Sequence, residues 1–180
     1  YTEDAMKYMD NHYVVNKDSV GIFGYSMGGR ISLEMLANKK YNFKAICLLA
    51  PAADTEDLKN LFGGAENWEN LKKRAQESTD GYTNFTTVYG QEQELSTKWF
   101  EDLETNDLAT LLKEVKSSYT GPSMVIYAVD DTAVSPTISK TVADVLQSEV
   151  IMTPEDGHSY GFYSDKAYVK RIVVENTVDF

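Results

Sequence analysis

A serine flanked by glycines lies between an apolar run and a helix-like segment, and no other stretch constrains the fold as strongly. The sequence reads G-Y-S-M-G-G from Gly24, after apolar residues 20–23 and before helix-like residues 30–39. Gly24 and Gly28 would let the backbone turn sharply, because side chains there would collide with neighbouring backbone. The turn would leave Ser26 strained and its hydroxyl exposed, with the positive end of the helix directed towards it. G-x-S-x-G between a strand and a helix predicts a nucleophile elbow.

Strands and helices are predicted to alternate along most of the chain. Apolar runs predict strands at 20–24, 43–49, 124–129 and 150–153, and helical spacing of apolar residues predicts helices at 2–12, 30–39, 135–146 and 165–176. Thr2 would cap the first helix. The alternation indicates an α/β fold, with a mostly parallel sheet flanked by helices and the chemistry beyond the carboxyl ends of the strands.

Residues 52–120 depart from this alternation. They are predicted to form helices at about 55–61 and 66–76 and a longer helix from about 96, with no buried strand. Inserted at the carboxyl end of a strand, such a segment is typical of a helical lid over a site, and plain helical decoration is the alternative. The chain is therefore divided into a core part with the elbow (1–51), the lid insertion (52–120) and a second core part (121–180).

The composition argues against some classes of function. The chain has 180 residues, one domain's worth, with a net charge of −11 and a pI near 4.6. This acidity argues against a nucleic-acid or anionic-membrane partner, and no apolar run approaches membrane-spanning length. The single cysteine, Cys47, excludes an internal disulfide and favours a reducing compartment, so a cytoplasmic location is expected. Cys47 lies in an apolar run and is expected to be inert. No metal or cofactor is predicted.

The side chains that a reactive serine requires are also present. A serine hydroxyl needs an imidazole to take its proton and an acid to orient that imidazole. His158 follows a predicted strand in a loop, whereas His12 ends a polar helix and is expected to be a solvated surface residue. Asp130 and Asp131 end an apolar run, and only one of them can point at the imidazole. The order Ser26, aspartate, His158 is that of an elbow-based triad, but spacing alone leaves both aspartates open.

Three motifs in this order make the chain resemble the α/β-hydrolase superfamily. They are G-Y-S-M-G-G at the elbow, Y-A-V-D-D-T-A-V-S-P at 127–136, and G-H at His158. Within the superfamily, the pattern is similar to serine carboxylesterases related to cinnamoyl and feruloyl esterases and to monoacylglycerol lipases. The resemblance covers nearly the whole chain, loosely at 52–120. Its motifs are specific for the superfamily and weak for the substrate.

The resemblance also implies which aspartate takes part. In those relatives, the acid strand usually reads as a small residue, two variable residues, the catalytic Asp, then a Val and often a Pro. This frame falls on Ala128 and Asp131, with Val134 and Pro136 downstream. It favours Asp131 over Asp130.

The chain departs from the pattern at its start. The superfamily normally has several strands before the elbow, whereas this chain begins one helix ahead of it. The N–H of Met27 would supply one oxyanion donor. The other, from a His-Gly type loop, would lie upstream of Tyr1, and losing such a donor costs about a hundredfold in rate. We therefore expect an N-terminally incomplete enzyme whose 20–24 strand exposes an edge, through which it could form a homo-oligomer.

The resemblance implies a serine hydrolase that cleaves small-molecule carboxylic esters through an acyl-enzyme. Tyr25 and the lid aromatics would suit an apolar or aromatic acyl group, with packing inside the lid as the alternative; these aromatics are Phe62, Trp68, Tyr82, Phe85 and Tyr89. Peptidase, acyltransferase and perhydrolase chemistry use the same triad. A truncated chain could instead be an inactive binding protein on a hydrolase scaffold.

Overall fold

Six strands and a series of helices make up the computed structural model, which describes residues 2–87 and 90–180, without the side chains of Thr2 and Lys17. The strands are β1 (Ile22–Tyr25), β2 (Ile46–Leu49), β3 (Tyr82–Thr86), β4 (Glu92–Ser96), β5 (Ser123–Ala128) and β6 (Glu149–Thr153). The helices are α1 (Thr2–His12), α2 (Met27–Ala37), α3 (Thr55–Leu61), α4 (Ala65–Glu77), α5 (Thr97–Thr105), α6 (Leu108–Ser118), α7 (Pro136–Leu146), α8 (Lys166–Val169) and α9 (Asn176–Asp179). A 3₁₀ turn covers Lys17–Ser19, and a π-helical stretch, Lys170–Glu175, joins α8 to α9. The predicted capping by the Thr2 side chain and the predicted role of Tyr89 lie outside the described part.

The central sheet positions the site. Within the described residues it has four parallel strands in the order β1-β2-β5-β6. Tyr25 pairs with Leu49, and Leu49 pairs with Ile126, so the carboxyl ends of three strands meet at one edge. β2 and β5 are buried along their whole length, as expected of strands covered on both faces. The prediction of a mostly parallel sheet flanked by helices is confirmed.

The two faces of the sheet pack against different parts of the chain. Leu48 and Val125 belong to a buried cluster that includes residues of α2, α6 and α7. Their neighbours Leu49 and Ile126 belong to a second cluster, with residues of α3, α4, α5 and the C-terminal helices. Successive strand residues point to opposite faces. The continuous apolar runs of β2 and β5 therefore supply both clusters.

Residues 54–106, here called the cap, contain α3, α4, α5 and an antiparallel hairpin formed by β3 and β4. Trp68, Phe100 and Leu103 of the cap share a buried cluster with residues of the sheet, so the cap is packed onto the sheet. The sequence prediction of a helical lid missed the hairpin. Its strands are largely polar and exposed, and within them Thr83 and Leu95 are the buried residues.

Helix α6 packs on the sheet face opposite the cap. Asp107 begins it, with a carboxylate oxygen that accepts from the N–H of Thr110 at 2.8 Å, as an N-cap does. Leu111 and Val115 then pack with α2 and α7. The helix predicted from about 96 is therefore two helices, separated at Asn106. The three-part division of the chain stays a prediction.

Strand β1 lies at an edge of the sheet, with β2 as its neighbour in the described part of the chain. Phe23 on this strand is 44 % exposed. The expected edge position agrees with the structure, and association through this edge stays a prediction. Among residues 2–87 and 90–180, no helix combines the length and the apolar character needed to cross a bilayer.

Candidate active site

Ser26 lies at the turn between β1 and α2 in a strained backbone conformation. Its φ is 53° and its ψ is −119°, a combination that residues other than glycine rarely adopt. Its N–H donates to the carbonyl oxygen of Leu49 at 2.9 Å, and its carbonyl oxygen accepts from the N–H groups of Gly29 and Ala52, each at 2.9 Å. These bonds fix the strained turn to β2, to α2 and to the segment that follows β2.

Close packing explains two of the glycines beside the serine. A Cβ at Gly24 would lie 2.5 Å from the carbonyl oxygen of Gly28, and a Cβ at Gly29 would lie 2.7 Å from Cα of Pro51. Apart from its chain neighbours and the backbone of its own helix, a Cβ at Gly28 would meet nothing within 4 Å. The predicted collision of a side chain at Gly28 with backbone is therefore not found against any other segment of the described chain. The crowded positions are Gly24 and Gly29.

We expect Gly24→Ala to lower the free energy of unfolding by about 3 kcal/mol, because the added methyl would push β1 away from the first turn of α2. Gly28→Ala is the matched control and should change this free energy by less than about 1 kcal/mol, since its methyl enters open space. Urea unfolding followed by tryptophan fluorescence measures both variants. Equal losses would contradict the described packing of the elbow.

A continuous chain of hydrogen bonds joins Ser26, His158 and Asp131. His158 Nε2 lies 2.9 Å from Ser26 Oγ, and His158 Nδ1 lies 2.7 Å from Asp131 Oδ2. When Nδ1–H donates to the carboxylate, Nε2 is left to accept the serine proton. The Asp131 side chain is 1 % exposed and the His158 side chain 23 % exposed. The carboxylate is thus shielded from water, while the imidazole remains accessible to a ligand.

The two adjacent aspartates have different partners. Asp131 Oδ1 accepts from the N–H groups of Ala133 and Val134, at 2.8 and 2.9 Å, which leaves Oδ2 for the imidazole. Asp130 Oδ1 accepts from the N–H of Gly157 at 2.9 Å. The structure therefore places Asp131 against the imidazole ring. Asp130 instead holds the backbone of the loop that carries this ring.

Tyr25 contacts the histidine in two ways. Its hydroxyl donates a hydrogen bond to the backbone carbonyl oxygen of His158. Its ring stacks on the imidazole, with the two centroids 5.2 Å apart and the planes at 29°. Sequence reasoning placed Tyr25 only in the wall of the site. The structure adds that it holds the histidine.

Two further tyrosines hold the same loop. The hydroxyl of buried Tyr160 accepts from the N–H of Ala128 at 2.9 Å, and burial raises the pKa of this phenol. The hydroxyl of Tyr168 donates to Asp156 Oδ2 at 2.5 Å, and burial and then this hydrogen bond raise the pKa of Tyr168 to about 12. Both phenols therefore remain protonated near neutral pH. Sequence reasoning missed them because no spacing rule connects them with the histidine.

The backbone N–H of Met27 is placed to meet negative charge. Met27 is the first residue of α2 and directly follows Ser26. The first N–H groups of a helix have no carbonyl partner within the helix, and the positive end of the helix dipole favours an anion there. Together with the imidazole, this end of α2 can activate a hydroxyl and stabilise an oxyanion beside it.

A cavity of about 710 Å³ opens beside Ser26 and His158. Apolar side chains of the cap form much of its wall: Leu58, Leu61, Phe62, Phe85, Leu95 and Trp99. Polar side chains of β4 and of the turn before it line the remainder: Thr87, Gln91, Gln93, Glu94 and Ser96. Within the described residues, no lysine or arginine lines this cavity. Its walls therefore match an apolar group better than an anionic one.

A family model described as BAAT / acyl-CoA thioester hydrolase C terminal matches residues 1–158. The chain belongs to this family. A comparison with curated proteins finds no match.

Solved α/β-hydrolase structures share the fold of this family member. The esterase domain of a Rhodothermus marinus protein superposes with a TM-score of 0.67 at 16 % identity, over 97 % of this chain and 65 % of that one. Est1E from Butyrivibrio proteoclasticus, with bound ferulic acid, gives 0.67 at 18 % identity, over 97 % and 64 %. The monoacylglycerol lipase of Paleococcus ferrophilus gives 0.66 at 15 % identity, over 98 % and 75 %. The predicted α/β-hydrolase fold is confirmed, and the chain spans about 65 % of the first of these structures.

In this member of the family, the aromatic residues predicted to contact substrate take different places. Tyr25, Phe62 and Phe85 line the cavity, and Trp68 does not. Trp68 is 0 % exposed and its indole N–H is bonded within the cap. Of the two interpretations given for Trp68, contact with the acyl group is therefore contradicted, and packing inside the lid describes its position. Trp99, which the sequence did not single out, stands in the wall and contacts Trp68.

Tyr82, another aromatic residue predicted to suit the acyl group, lies at a separate polar groove of about 450 Å³. Tyr82 lines this groove on the surface of the cap, beside Arg74 and Asp80, and is absent from the cavity at the serine. Successive strand residues face opposite sides, so Tyr82 and Phe85 of the same strand have opposite environments. The prediction that Tyr82 suits the acyl group is therefore wrong.

The cap also contacts the loop that follows Asp131. Asp57 Oδ2, on α3, accepts from the N–H of Ser135 at 2.7 Å, and burial raises the pKa of the Asp57 carboxyl group. Sequence reasoning missed this contact, which joins residues 78 positions apart. It ties one wall of the cavity to the Asp131 loop.

The second histidine and the cysteine have other surroundings. His12 is exposed on α1, and its Nδ1 lies 2.8 Å from the carbonyl oxygen of Tyr8. Cys47 is buried in β2, and burial raises the pKa of its thiol. In the described part of the chain, no three His, Cys, Asp or Glu side chains are grouped so that they could hold a metal ion.

Proposed function

We propose that the protein is a serine hydrolase that cleaves carboxylic esters through an acyl-enzyme intermediate. Ser26 is the nucleophile, His158 the general base and acid, and Asp131 the residue that orients the imidazole. The observation that carries the proposal is the pair of hydrogen bonds, of 2.7 and 2.9 Å, that joins these side chains at the wall of a largely apolar cavity.

The geometry supports a two-step mechanism. Ser26 Oγ attacks the ester carbonyl carbon while its proton passes to His158 Nε2, and Asp131 stabilises the resulting imidazolium. The N–H of Met27 donates to the oxyanion. The tetrahedral intermediate then expels the alcohol, which takes the proton from Nε2. A water molecule, deprotonated by the same nitrogen, attacks the acyl-enzyme carbonyl carbon. The second tetrahedral intermediate then breaks its bond to Ser26 Oγ, which takes the proton back from Nε2, and the carboxylic acid leaves.

The cavity wall favours an uncharged ester with an apolar acyl group. Leu58, Phe62 and Trp99 offer apolar surface, and Gln91 and Gln93 offer neutral hydrogen-bonding groups. The similar structures include Est1E with bound ferulic acid and a monoacylglycerol lipase. These names refer to an aromatic acid and to an ester of a fatty acid. We propose that this chain also acts on esters with an apolar acyl group.

A thioesterase is the second candidate, because the matching family model is described by acyl-CoA thioester hydrolysis. The same triad attacks either carbonyl. Coenzyme A, however, carries several phosphate charges, which proteins commonly bind with arginine or lysine. The residues lining the described cavity offer Glu94 but neither of these cations. This charge pattern favours the ester over the CoA thioester.

A substrate panel separates the candidates. With the intact protein, we expect kcat/KM for p-nitrophenyl octanoate to exceed that for octanoyl-CoA by about a hundredfold, which corresponds to about 2.7 kcal/mol in activation free energy. An acylated peptide and an acceptor alcohol test peptidase and acyltransferase chemistry in the same assay. Faster turnover of octanoyl-CoA, or of the peptide, would overturn the ester proposal.

Replacing Phe85 should alter the preference for the acyl group. Phe85→Ala removes apolar contact worth about 1.5 kcal/mol, so kcat/KM for p-nitrophenyl octanoate should fall about tenfold relative to that for p-nitrophenyl acetate. Tyr82→Ala is the matched control, since this aromatic residue of the same strand faces the separate groove. Equal changes in the octanoate-to-acetate ratio for both variants would contradict the assignment of Phe85, rather than Tyr82, to the wall that contacts the acyl group.

A further inference from the structure

Arg30 is a buried cation on the helix that follows the nucleophile. It lies on α2, in the turn after Ser26, and is 1 % exposed. Burying a guanidinium group is costly unless charge and hydrogen-bond partners surround it. Glu34, one turn further along α2, supplies the opposite charge, with Oε1 2.8 Å from Arg30 Nε. The remaining nitrogens are left to contact other parts of the chain.

Those nitrogens bond the two ends of the cap. Arg30 Nη1 donates to the carbonyl oxygen of Ala53 at 3.0 Å, and Nη2 donates to the carbonyl oxygen of Asn106 at 2.7 Å. Ala53 directly precedes the cap, and Asn106 is its last residue. One planar guanidinium group thus joins the two points at which the chain leaves and rejoins the core. We call these two points the neck of the cap.

Residues next to the neck make two further hydrogen bonds, one to Ser26 and one between the two sides of the neck. The N–H of Ala52 donates to the carbonyl oxygen of Ser26 at 2.9 Å. Across the neck, the buried hydroxyl of Thr55 donates to the carbonyl oxygen of Leu103 at 2.9 Å. A displacement of the neck would therefore move both the backbone of Ser26 and the helices α3 and α5.

Those two helices carry part of the cavity wall. Leu58 and Phe62 lie on α3 or at its end, and Trp99 lies on α5. Because α3 begins just after Ala53 and α5 ends just before Asn106, a shift of the neck would change the spacing between this wall and the serine hydroxyl.

We propose that Arg30 is a positioning residue that clamps both ends of the cap to the nucleophile helix and thereby sets the selectivity of the site for long acyl groups. The proposal rests on the ester hydrolysis proposed above. Arg30 does not line the cavity, so it acts through the position of the wall. A lysine could not reproduce the clamp, because its single ammonium group lacks the planar fork of arginine.

The test compares Arg30→Met and Arg30→Lys with Arg74→Lys, an arginine of the cap that bonds the carbonyl oxygen of Asn84 on the exposed surface. Hydrogen–deuterium exchange of the intact protein should be at least about fivefold faster at 52–55 and 104–108 in both Arg30 variants and unchanged in Arg74→Lys. The octanoate-to-acetate ratio of kcat/KM should fall about tenfold in Arg30→Met and less in Arg30→Lys. Thr55→Val removes the second neck bond and should shift the ratio in the same direction by a smaller factor.

Several results would overturn the clamp. Unchanged exchange at the neck in folded Arg30→Lys would do so, as would equal losses of kcat/KM for acetate and octanoate in that variant. Exchange needs no turnover, so it separates the two proposals. If the wild-type protein cleaves no ester while the Arg30 variants exchange faster at the neck, the proposed function fails and the clamp is supported.

Discussion

Ser26→Ala should lower kcat for p-nitrophenyl esters by about 10⁵-fold or more, within the range measured when a triad nucleophile is removed. In the proposed mechanism this hydroxyl forms the acyl-enzyme, and its bond to His158 Nε2 is lost with it. What remains is stabilisation of the oxyanion and apolar binding, which cannot replace a covalent intermediate. Initial rates with p-nitrophenyl acetate and octanoate measure the loss.

The control for this variant lies on the same stretch of chain. Ser19 is exposed and its hydroxyl accepts a hydrogen bond from Asn16. Ser19→Ala should therefore keep kcat within about twofold. Thermal unfolding of both variants shows whether they fold. A folded Ser26→Ala protein that retains more than about one per cent of wild-type kcat would show that another group performs the attack.

Asp131→Asn should lower kcat by about 10⁴-fold. An amide cannot reproduce the bond between the carboxylate and His158 Nδ1–H while it also accepts from the N–H groups of Ala133 and Val134. The imidazole then adopts the wrong tautomer, and the imidazolium loses its counter-charge. The kcat for p-nitrophenyl acetate, measured from pH 6 to 9, gives the size of the loss.

Asp130→Asn is the matched control at the neighbouring position. Its amide oxygen can still accept from the N–H of Gly157, so kcat should fall by less than about tenfold. A larger loss in Asp130→Asn than in Asp131→Asn would contradict the assignment of the two carboxylates.

Much of the fold could be predicted because its signals are local. The apolar runs of β2 and β5 indicate strands covered on both faces, and their alternation with helices indicates a parallel sheet. The turn at Ser26 was recognisable because a strand, a glycine-flanked serine and a helix follow one another directly. His158 and the two aspartates were found because each follows an apolar strand run. The structure then brings Asp131, rather than Asp130, to the imidazole.

What could not be predicted depends on contacts between distant residues. Tyr25 donates a hydrogen bond to the carbonyl oxygen of His158, which is 133 positions away in the sequence. No spacing rule connects the two residues. The crowding at Gly29 comes from Pro51, on a different segment. Trp68 and Trp99 are both aromatic residues on helices, and only packing decides which of them faces the cavity.

The cap was the least predictable part for the same reason. Its hairpin consists of short polar strands that pair with each other, so neither strand has the apolar signature of a buried one. In the sequence, Arg30 is one residue of the helix-like segment 30–39, and no pattern distinguishes it. Only the structure shows that its guanidinium group bonds the carbonyl oxygens of both Ala53 and Asn106.

Labelling with a fluorophosphonate probe tests the central claim most directly. The intact wild-type protein should form a covalent adduct, and tandem mass spectrometry should place it on Ser26 within the tryptic peptide 18–30. Ser26→Ala should form no adduct, and Asp131→Asn should react far more slowly than the wild type. A folded wild-type protein that remains unlabelled, or one labelled at a different residue, would contradict the account.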